Sequence, residues 1–196
     1  DIKYFKTHSA LCTLAGNSFT NKSNTKAAIY VVRDPRNVIT SFAHHYSINI
    51  NEAYKRLTNK SFMIYSTKPG DDDYGTATIL GSWSAHYNSW KNIKFAPILI
   101  IKYEDLIFDT KKTFLNILNF LSKIVDIKID EKKVIDVIKS TSFDILAKKE
   151  SQEGFIESVK STKDNSTIKF FNLGEKNNWK EILDKKIEYK IRTEFS

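Results

Sequence analysis

The sequence has few of the residues that build disulfide frameworks, cysteine-ligated metal sites and phosphate-binding glycine loops. Its 196 residues include a single cysteine, Cys12, which excludes an internal disulfide and a cysteine-rich metal site and favours a reducing compartment. The six glycines are scattered, and none opens a helix after a strand-like run with a Gly-Lys-Ser/Thr sequence. The longest apolar runs, such as 96–101, fall far short of the roughly 20 residues that span a bilayer. We therefore expect an ordered, cytoplasmic protein that does not enter a membrane.

The charge of the chain comes mainly from lysine. The formal net charge is +8, and of the 31 basic residues only four are arginines. A strong positive charge is compatible with nucleic-acid binding, because Lys and Arg neutralise backbone phosphates. The lysines, however, are scattered among Asn, Ile and Glu instead of forming one block, so a solvated surface is the preferred interpretation. Such a surface also favours an anionic nucleotide ligand.

One stretch combines a strand, a turn and a helix in a way that suits a phosphate. Residues 27–32 form a β-branched-rich run typical of a buried strand, and Asp34-Pro35 is a strong helix start. Arg33 therefore lies at the carboxyl end of the strand, where open α/β sheets bind ligands, and Asn37 and Ser41 share a polar face of the helix. We call residues 33–41 the Arg33 corner. A purely structural arginine at a βα junction is the alternative that spacing alone leaves open.

Strand-like and helix-like segments alternate along the chain. Strands are predicted at 2–6, 27–32 and 98–103, and helices at 35–46, 82–90, after Asp109, around Val134 to Ile138 and at 185–195. Alternation of this kind indicates an α/β fold with a central parallel β-sheet flanked by helices. Residues 47–78 are expected to be irregular, and residues 148–178 to form a long polar loop. We expect a single domain over residues 1–196, truncated at both ends, because the chain opens on a strand-like run and stops inside a helix-like one.

Six short motifs follow one another along almost the whole chain. They are KTHSAL from Lys6, the Arg33 corner, GSWSAHYNSW from Gly81, KYEDL from Lys102, STSF from Ser140, and Gly174 followed by Trp179-Lys180. In order and spacing this set resembles the cytosolic-type sulfotransferases. Those enzymes transfer a sulfuryl group from 3′-phosphoadenosine 5′-phosphosulfate (PAPS) to a hydroxyl or amine. The resemblance implies their fold, a variant of the P-loop nucleotide-kinase architecture, here incomplete at the N-terminus.

The resemblance also assigns roles to individual residues. Arg33 and Ser41 match the residues that hold the 3′-phosphate of PAPS, and Gly174 matches a glycine whose backbone approaches a phosphate. Tyr103 matches a tyrosine of the same nucleotide site. Thr141 and Phe143 match the pair around the adenine. The expected partners are therefore PAPS as co-substrate, adenosine 3′,5′-bisphosphate as product and a small-molecule acceptor.

The catalytic residues implied by the resemblance are His8 and its neighbour Lys6. A neutral imidazole suits the removal of a proton from an acceptor hydroxyl. His86 lies where the family has a histidine in the acceptor pocket, although packing on a helix face explains it equally well. The remaining acceptor pocket is expected in loops 11–26 and 49–78. No metal is expected: 71–73 lacks calcium-loop spacing and His44-His45 lacks zinc-ligand partners. A homodimer is compatible with the sequence.

Two departures from the family pattern bear on activity. The glycine-rich loop that cradles the 5′-phosphosulfate should precede Lys6, and no such stretch is present. The family has Arg-Lys immediately before the glycine that matches Gly174, where this chain has Asn172-Leu173; Lys169 or Lys176 are the candidates to compensate. We therefore expect a sulfotransferase fragment with little or no activity of its own. A non-catalytic nucleotide-binding module or pseudoenzyme is the alternative, and a lysine-rich nucleic-acid-binding protein a further one.

Overall fold

The computed structural model describes residues 2–66, 76–161 and 164–195, and these form short strands and longer helices in alternation. The strands are β1 (Thr13–Leu14), β2 (Asn17–Ser18), β3 (Ala28–Val32), β4 (Met63–Ser66), β5 (Thr76–Ile79), β6 (Ile98–Lys102), β7 (Val159–Lys160) and β8 (Thr167–Ile168). The helices are α1 (Pro35–His45), α2 (Ile50–Thr58), α3 (Trp83–Lys91), α4 (Tyr103–Phe108), α5 (Thr110–Leu121), α6 (Glu131–Ser140), α7 (Phe143–Glu153), α8 (Trp179–Ile182) and α9 (Lys185–Glu194). A 3-10 turn covers Gly174–Lys176.

The parallel pair of strands β3 and β6 confirms the predicted α/β organisation. The two strands run in register from Ala28 opposite Ile98 to Val32 opposite Lys102. Both are rich in β-branched residues, which suit a pleated, packed surface. The other strand pairs within the described residues are antiparallel: β1 with β2, β4 with β5, and β7 with β8. The carboxyl ends of β3 and β6 therefore meet at one edge.

The main buried cluster lies among helices α1, α2 and α9. Ile39 of α1 and Ile191 of α9 are almost completely buried, and Ala53 of α2 closes the gap between them. Burying a side chain of the size of isoleucine contributes about 1.5–3 kcal/mol, so this contact fixes α1 from the side opposite its polar face. Helix α1 starts as the sequence predicts: the Asp34 carboxylate accepts a hydrogen bond from the Arg36 amide (2.9 Å) and Pro35 fills the first helical position.

Three sequence-based expectations about secondary structure were wrong. Residues 2–6 form no strand. The backbone of residues 8–11 is hydrogen-bonded to β5 and α3 but forms no β-ladder. The region after residue 47 is not irregular, since it holds α2, β4 and β5. The predicted polar loop, residues 148–178, is partly helical, because α7 extends to Glu153. The rest of it contains the strand pair β7–β8 and the 3-10 turn. No helix in the described residues is long and apolar enough to cross a membrane.

Candidate nucleotide-binding and catalytic site

The register of β3 and β6 places Arg33 directly beside Tyr103. Each is the first residue after its strand, and the last paired residues are Val32 and Lys102. The guanidinium carbon of Arg33 lies 4.3 Å from the centre of the Tyr103 ring, a cation–π contact. The Nε of Arg33 is buried and has no hydrogen-bond partner in the part of the chain that the structure describes. A buried donor without a partner is costly, so this edge is suited to an acceptor supplied by a ligand.

The neighbouring charges of the Arg33 corner are already paired with one another. Arg36 grips the Asp34 carboxylate with Nε and Nη2, the shortest contact being 2.6 Å, and stacks on the Trp179 ring at 4.0 Å. Partial burial acts to raise the pKa of Asp34, but the hydrogen bonds and charge of Arg36, with the charge of Arg33, bring it below its ordinary value. Asp34 is therefore ionised at neutral pH, and Arg36 is engaged. Arg33 is the cation of this corner left for an anion.

Helix α1 is joined by a small polar network to the residues that follow the 3-10 turn. The buried Asn177 accepts a hydrogen bond from the Thr40 hydroxyl (2.8 Å) and donates one to the Asn37 carbonyl (3.2 Å). The Asn37 side chain in turn accepts from the Trp179 amide (3.1 Å). We call Asn37, Thr40, Asn177 and Trp179 the α1 latch. It ties the Arg33 corner to residues 169–178, which we call the carboxyl loop.

Gly174 and Phe143, both predicted to belong to the nucleotide site, are in direct contact. Gly174 has a φ of +53°, and a Cβ added to it would lie 2.7–2.9 Å from three carbons of the Phe143 ring. Both the backbone conformation and the space therefore require glycine at this position. Phe143 also packs edge-on against Phe171 (5.9 Å between ring centres), which is surrounded by Phe155 and Phe170. The structure thus builds an aromatic cluster against the turn of the carboxyl loop.

A buried carboxylate holds the carboxyl loop in this position. Glu150, only 8% exposed, accepts hydrogen bonds from the Phe170 amide (2.6 Å), the Phe171 amide (3.0 Å) and the Ser158 hydroxyl (2.8 Å). Burial acts to raise the pKa of Glu150, but these donors and the charge of Lys169 outweigh it and leave the pKa below its usual range. The charged form of Glu150 is therefore the one that orders the backbone of the aromatic cluster.

The segment that carries His8 is pinned by its backbone while the imidazole is exposed. The His8 carbonyl accepts a hydrogen bond from Nε2 of His86 (3.1 Å), and the next carbonyl, of Ser9, accepts from the Trp90 indole (3.0 Å). The Ala10 amide donates to Ile79 (2.7 Å). Predicted residues His8 and His86 are therefore joined, through a backbone atom of His8.

The other predicted site residues are placed at the surface. Lys6 is exposed and forms an ion pair with Glu157, and Ser41 is exposed on α1. Thr141 is exposed at the end of α6, where its hydroxyl donates to the Val137 carbonyl (2.8 Å). Among the contacts of the described residues, no hydrogen bond joins Ser41 to Arg33 or Thr141 to Phe143. The structure therefore pairs Arg33 with Tyr103, Phe143 with Gly174 and His8 with His86.

Two of the candidate metal ligands considered from the sequence, His44 and His45, have other contacts in the structure. His44 uses Nε2 to contact the Lys169 carbonyl (3.1 Å), and His45 packs against the rings of Tyr46 and Phe170. Within residues 2–66, 76–161 and 164–195, no group of three or more His, Cys, Asp or Glu side chains could hold a metal ion. Residues 71–73 lie outside the described residues.

Sequence reasoning missed the residues that hold the site together. Glu150 lies in the segment for which the sequence predicts a loop, and the sequence analysis assigns no role to Asn177 or Tyr30. One sequence feature indicates this network: Asn37 shares the polar face of α1 with Ser41, and it accepts hydrogen bonds from Asn177 and Trp179. Asn177 and Glu150 have no distinctive local pattern, because their partners lie 140 and 20 residues away.

Comparison with known proteins identifies the family of the chain. A family model described as the sulfotransferase domain matches residues 2–195. The chain belongs to the sulfotransferase family. A 3-alpha-hydroxysteroid sulfotransferase of Cavia porcellus is 26% identical over 151 residues, covering 76% of this chain and 47% of that protein. Sulfotransferase 1A1 of Bos taurus is 24% identical over 179 residues, covering 91% of this chain and 55% of the relative.

Other relatives carry the same family label with different acceptors in their names. Luciferin sulfotransferase of Photinus pyralis is 27% identical over 143 residues, which is 72% of this chain and 35% of that protein. The crystal structure of mouse sulfotransferase SULT7A1 complexed with PAP superposes with a TM-score of 0.54, at 19% identity, over 89% of this chain and 58% of that one. This similarity confirms the fold. The sulfotransferase-family chain spans about half the length of the curated relatives that it matches.

Proposed function

We propose that this chain takes part in the transfer of a sulfuryl group from PAPS to a hydroxyl or amine of a small acceptor. The observation that carries the proposal is Arg33, whose Nε is buried without a partner beside Tyr103 at the carboxyl edge of the parallel strands. A guanidinium is the side chain best suited to a phosphate, because it offers several donors in one plane. Family membership and the neighbouring Gly174–Phe143 contact make a 3′-phosphoadenosine nucleotide the best-supported ligand.

In this proposal the nucleotide is held by residues from both ends of the chain. Arg33 and Ser41 bind the 3′-phosphate, with Tyr103 fixing the plane of the Arg33 guanidinium. Thr141 and Phe143 lie at the adenine, and the backbone at Gly174 approaches a phosphate. The α1 latch supports the assignment, because it holds the carboxyl loop against the helix that carries Ser41. When bound, PAPS supplies the sulfuryl group as a mixed anhydride of phosphate and sulfate.

His8 is the proposed general base. Its exposed imidazole is accessible to an acceptor, and its backbone is held in place by His86. His8 takes the proton of the acceptor hydroxyl or amine while the acceptor atom bonds to sulfur and the electron pair of the broken S–O bond stays on the nucleotide phosphate. Lys6, two residues before His8, is proposed to favour that negative charge. To do so it must exchange its ion pair with Glu157, which costs little because the Lys6 side chain is 64% exposed.

The residues present fit the nucleotide tail better than its reactive end. No Gly-Lys-Ser/Thr sequence occurs in the chain, and the residues before Gly174 are Asn172 and Leu173. Charge stabilisation at the 5′-phosphosulfate is therefore weak in this polypeptide. We propose measurable binding of adenosine 3′,5′-bisphosphate together with slow sulfuryl transfer.

Calorimetry with two nucleotides tests the proposed ligand. Adenosine 3′,5′-bisphosphate is expected to bind roughly ten- to a hundredfold more tightly than 5′-AMP, as one or two charge-assisted hydrogen bonds from Arg33 would give. Arg33→Ala should remove this preference. Arg192→Ala is the matched control, because Arg192 is an exposed arginine in an ion pair within α9. Equal affinity for both nucleotides, or an unchanged preference in Arg33→Ala, would show that the Arg33 corner binds something else.

A sulfuryl-transfer assay tests the proposed base. With PAPS and a panel of phenol, alcohol and amine acceptors, His8→Ala is expected to lose turnover while it retains affinity for adenosine 3′,5′-bisphosphate. His44→Ala serves as the control for loss of an exposed imidazole, since the His44 ring contacts the Lys169 carbonyl (3.1 Å). Turnover that survives in His8→Ala would remove His8 from the mechanism.

A further inference from the structure

A chain of hydrogen bonds runs from strand β3 through helix α3 to the backbone of His8. The Tyr30 hydroxyl lies 2.8 Å from Nδ1 of His86, and Nε2 of the same ring lies 3.1 Å from the His8 carbonyl oxygen. Tyr30 is on β3, three residues before Arg33. The Tyr30 ring also packs against Tyr87 at 6.0 Å between ring centres. Both ring nitrogens of His86 therefore have partners.

The partners of His86 fix its protonation. A carbonyl oxygen can only accept, so Nε2 of His86 carries the proton and donates it to His8. In the neutral ring Nδ1 is then an acceptor, and the Tyr30 hydroxyl donates to it. Burial lowers the pKa of His86 and outweighs the hydrogen bond to His8 that favours the charged ring. Burial, with the neighbouring Tyr87, raises the pKa of Tyr30 to about 12, so the hydroxyl keeps its proton.

The atom that His86 holds determines the orientation of a whole peptide group. The His8 carbonyl shares its peptide plane with the Ser9 amide, and this amide donates to the Thr7 hydroxyl (3.0 Å). Just beyond it, the Ser9 carbonyl accepts from Trp90, and the Leu11 amide donates to the Ser89 hydroxyl (3.0 Å). Residues 2–7, by contrast, are exposed and have no regular secondary structure. His8 is thus the first residue at which the backbone is held by the body of the protein.

We propose that Tyr30 and His86 are positioning residues for His8, acting through its backbone carbonyl instead of contacting the acceptor. The inference rests on the proposed function in one respect, the role of His8 as general base. Because Tyr30 lies on strand β3 and Arg33 directly follows that strand, the same short segment orients the phosphate-binding arginine and, through His86, the base. With both nitrogens occupied, His86 has no free polar atom to offer to an acceptor.

Substitutions that remove either of the two hydrogen bonds of the His86 ring test this chain of contacts. His86→Gln can keep a donor near the position of Nε2, whereas His86→Asn is too short to reach the His8 carbonyl. Tyr30→Phe removes only the hydroxyl. The measurements are ¹⁵N relaxation and hydrogen exchange at Ser9 and Ala10, together with the ¹⁵N spectrum of the histidine rings, which distinguishes the tautomers. Only four histidines contribute to that spectrum.

The wild-type His86 ring is expected in the Nε2–H neutral form. In His86→Asn the amides of Ser9 and Ala10 should exchange about tenfold faster, as loss of one hydrogen bond of about 1.4 kcal/mol predicts, while exchange in α9 stays unchanged. His86→Gln should restore most of the protection. Tyr30→Phe should give an intermediate result and mix the His86 tautomers. Should His86→Asn fail to fold, amide exchange at Ser9 and Ala10 and the His86 tautomer in Tyr30→Phe test the proposal.

Three results would overturn the proposal. The first is an Nδ1–H tautomer of His86 in the wild-type protein. The second is unchanged order at Ser9 in both His86→Asn and Tyr30→Phe. The third is a uniform change across the whole chain that His86→Gln does not reverse, which is what a purely structural role predicts. Titration of the same samples with adenosine 3′,5′-bisphosphate distinguishes failure of the proposed function from failure of the positioning role. Absence of nucleotide binding contradicts the proposed function and leaves the His8 measurement valid, whereas normal binding with an unaltered Ser9 contradicts the positioning role alone.

Discussion

Replacing Glu150 tests whether one buried carboxylate orders the aromatic cluster of the carboxyl loop. In Glu150→Ala the amides of Phe170 and Phe171 and the hydroxyl of Ser158 lose their acceptor. A buried donor left unsatisfied costs about 1–3 kcal/mol, and water can reach part of the site, so we expect a loss of about 3 kcal/mol in the free energy of unfolding. Since small domains are stable by only about 5–15 kcal/mol, this loss is readily measured by urea denaturation.

Glu150→Gln separates the charge from the shape of the side chain. Glutamine keeps one acceptor oxygen but turns an NH₂ group toward a backbone donor, so we expect a loss of about 1.5 kcal/mol at neutral pH. Glu153→Gln is the matched control, because Glu153 is an exposed residue at the end of the same helix. The control should change stability by less than about 0.5 kcal/mol.

The pH dependence gives an independent check of the same contact. The pKa of Glu150 is lower in the folded protein than its ordinary value of 4.5, so its charge stabilises the fold fully above that value. The stability gap between wild type and Glu150→Gln should therefore be constant near neutral pH and shrink as the pH falls below 4.5 toward the folded-state pKa. A Glu150→Ala variant as stable as Glu153→Gln, or a gap that persists unchanged in acid, would refute the reasoning.

Three further sets of substitutions have defined outcomes. Gly174→Ala would force a Cβ into the Phe143 ring at a φ of +53°, so it should lower both stability and affinity for adenosine 3′,5′-bisphosphate; Phe143→Leu in the same chain should recover part of the stability loss, as urea denaturation can show. Tyr103→Phe should keep the nucleotide affinity of the wild type, whereas Tyr103→Leu should weaken it about threefold, the value of a partly exposed cation–π contact. Asn177→Ala removes two bonds of the α1 latch and should cost about 1–2 kcal/mol in urea denaturation, with a severalfold loss of nucleotide affinity; a normal affinity would show that the latch does not orient the site.

The strand pair and the residues at its edge could be predicted from the sequence because the information is local. Two β-branched runs of similar length predicted β3 and β6, and a parallel sheet brings the residues after the strands to one edge. The observed register adds the detail that Arg33 and Tyr103 are immediate neighbours. A strong helix start at Asp34-Pro35 likewise gave α1 to within one residue of its end.

The missed elements divide into two physical classes. Helix α2 has a local start signal, because the Asn49 side chain accepts a hydrogen bond from the Glu52 amide (2.9 Å) and Asn is a favoured N-cap residue. Ala53, one turn further on, is buried in the core. The contacts of Glu150 and Asn177 belong to the other class. A single acidic or amide side chain is usually exposed, and only the folded chain shows that these two are buried among backbone groups of distant segments.

Helix α1 explains why the proposed site depends on the last part of the chain. One side of α1 buries Ile39 against Ile187 and Ile191 of α9, and the other carries Asn37 and Thr40 of the α1 latch. The same helix begins beside Arg33, so its position sets the distance between the Arg33 corner and Gly174. Because protein interiors are close-packed, a change in the α9 contact displaces α1 and alters the distance between the Arg33 corner and Gly174. Core substitutions in α9 should therefore weaken nucleotide binding even though α9 provides none of the proposed ligand contacts.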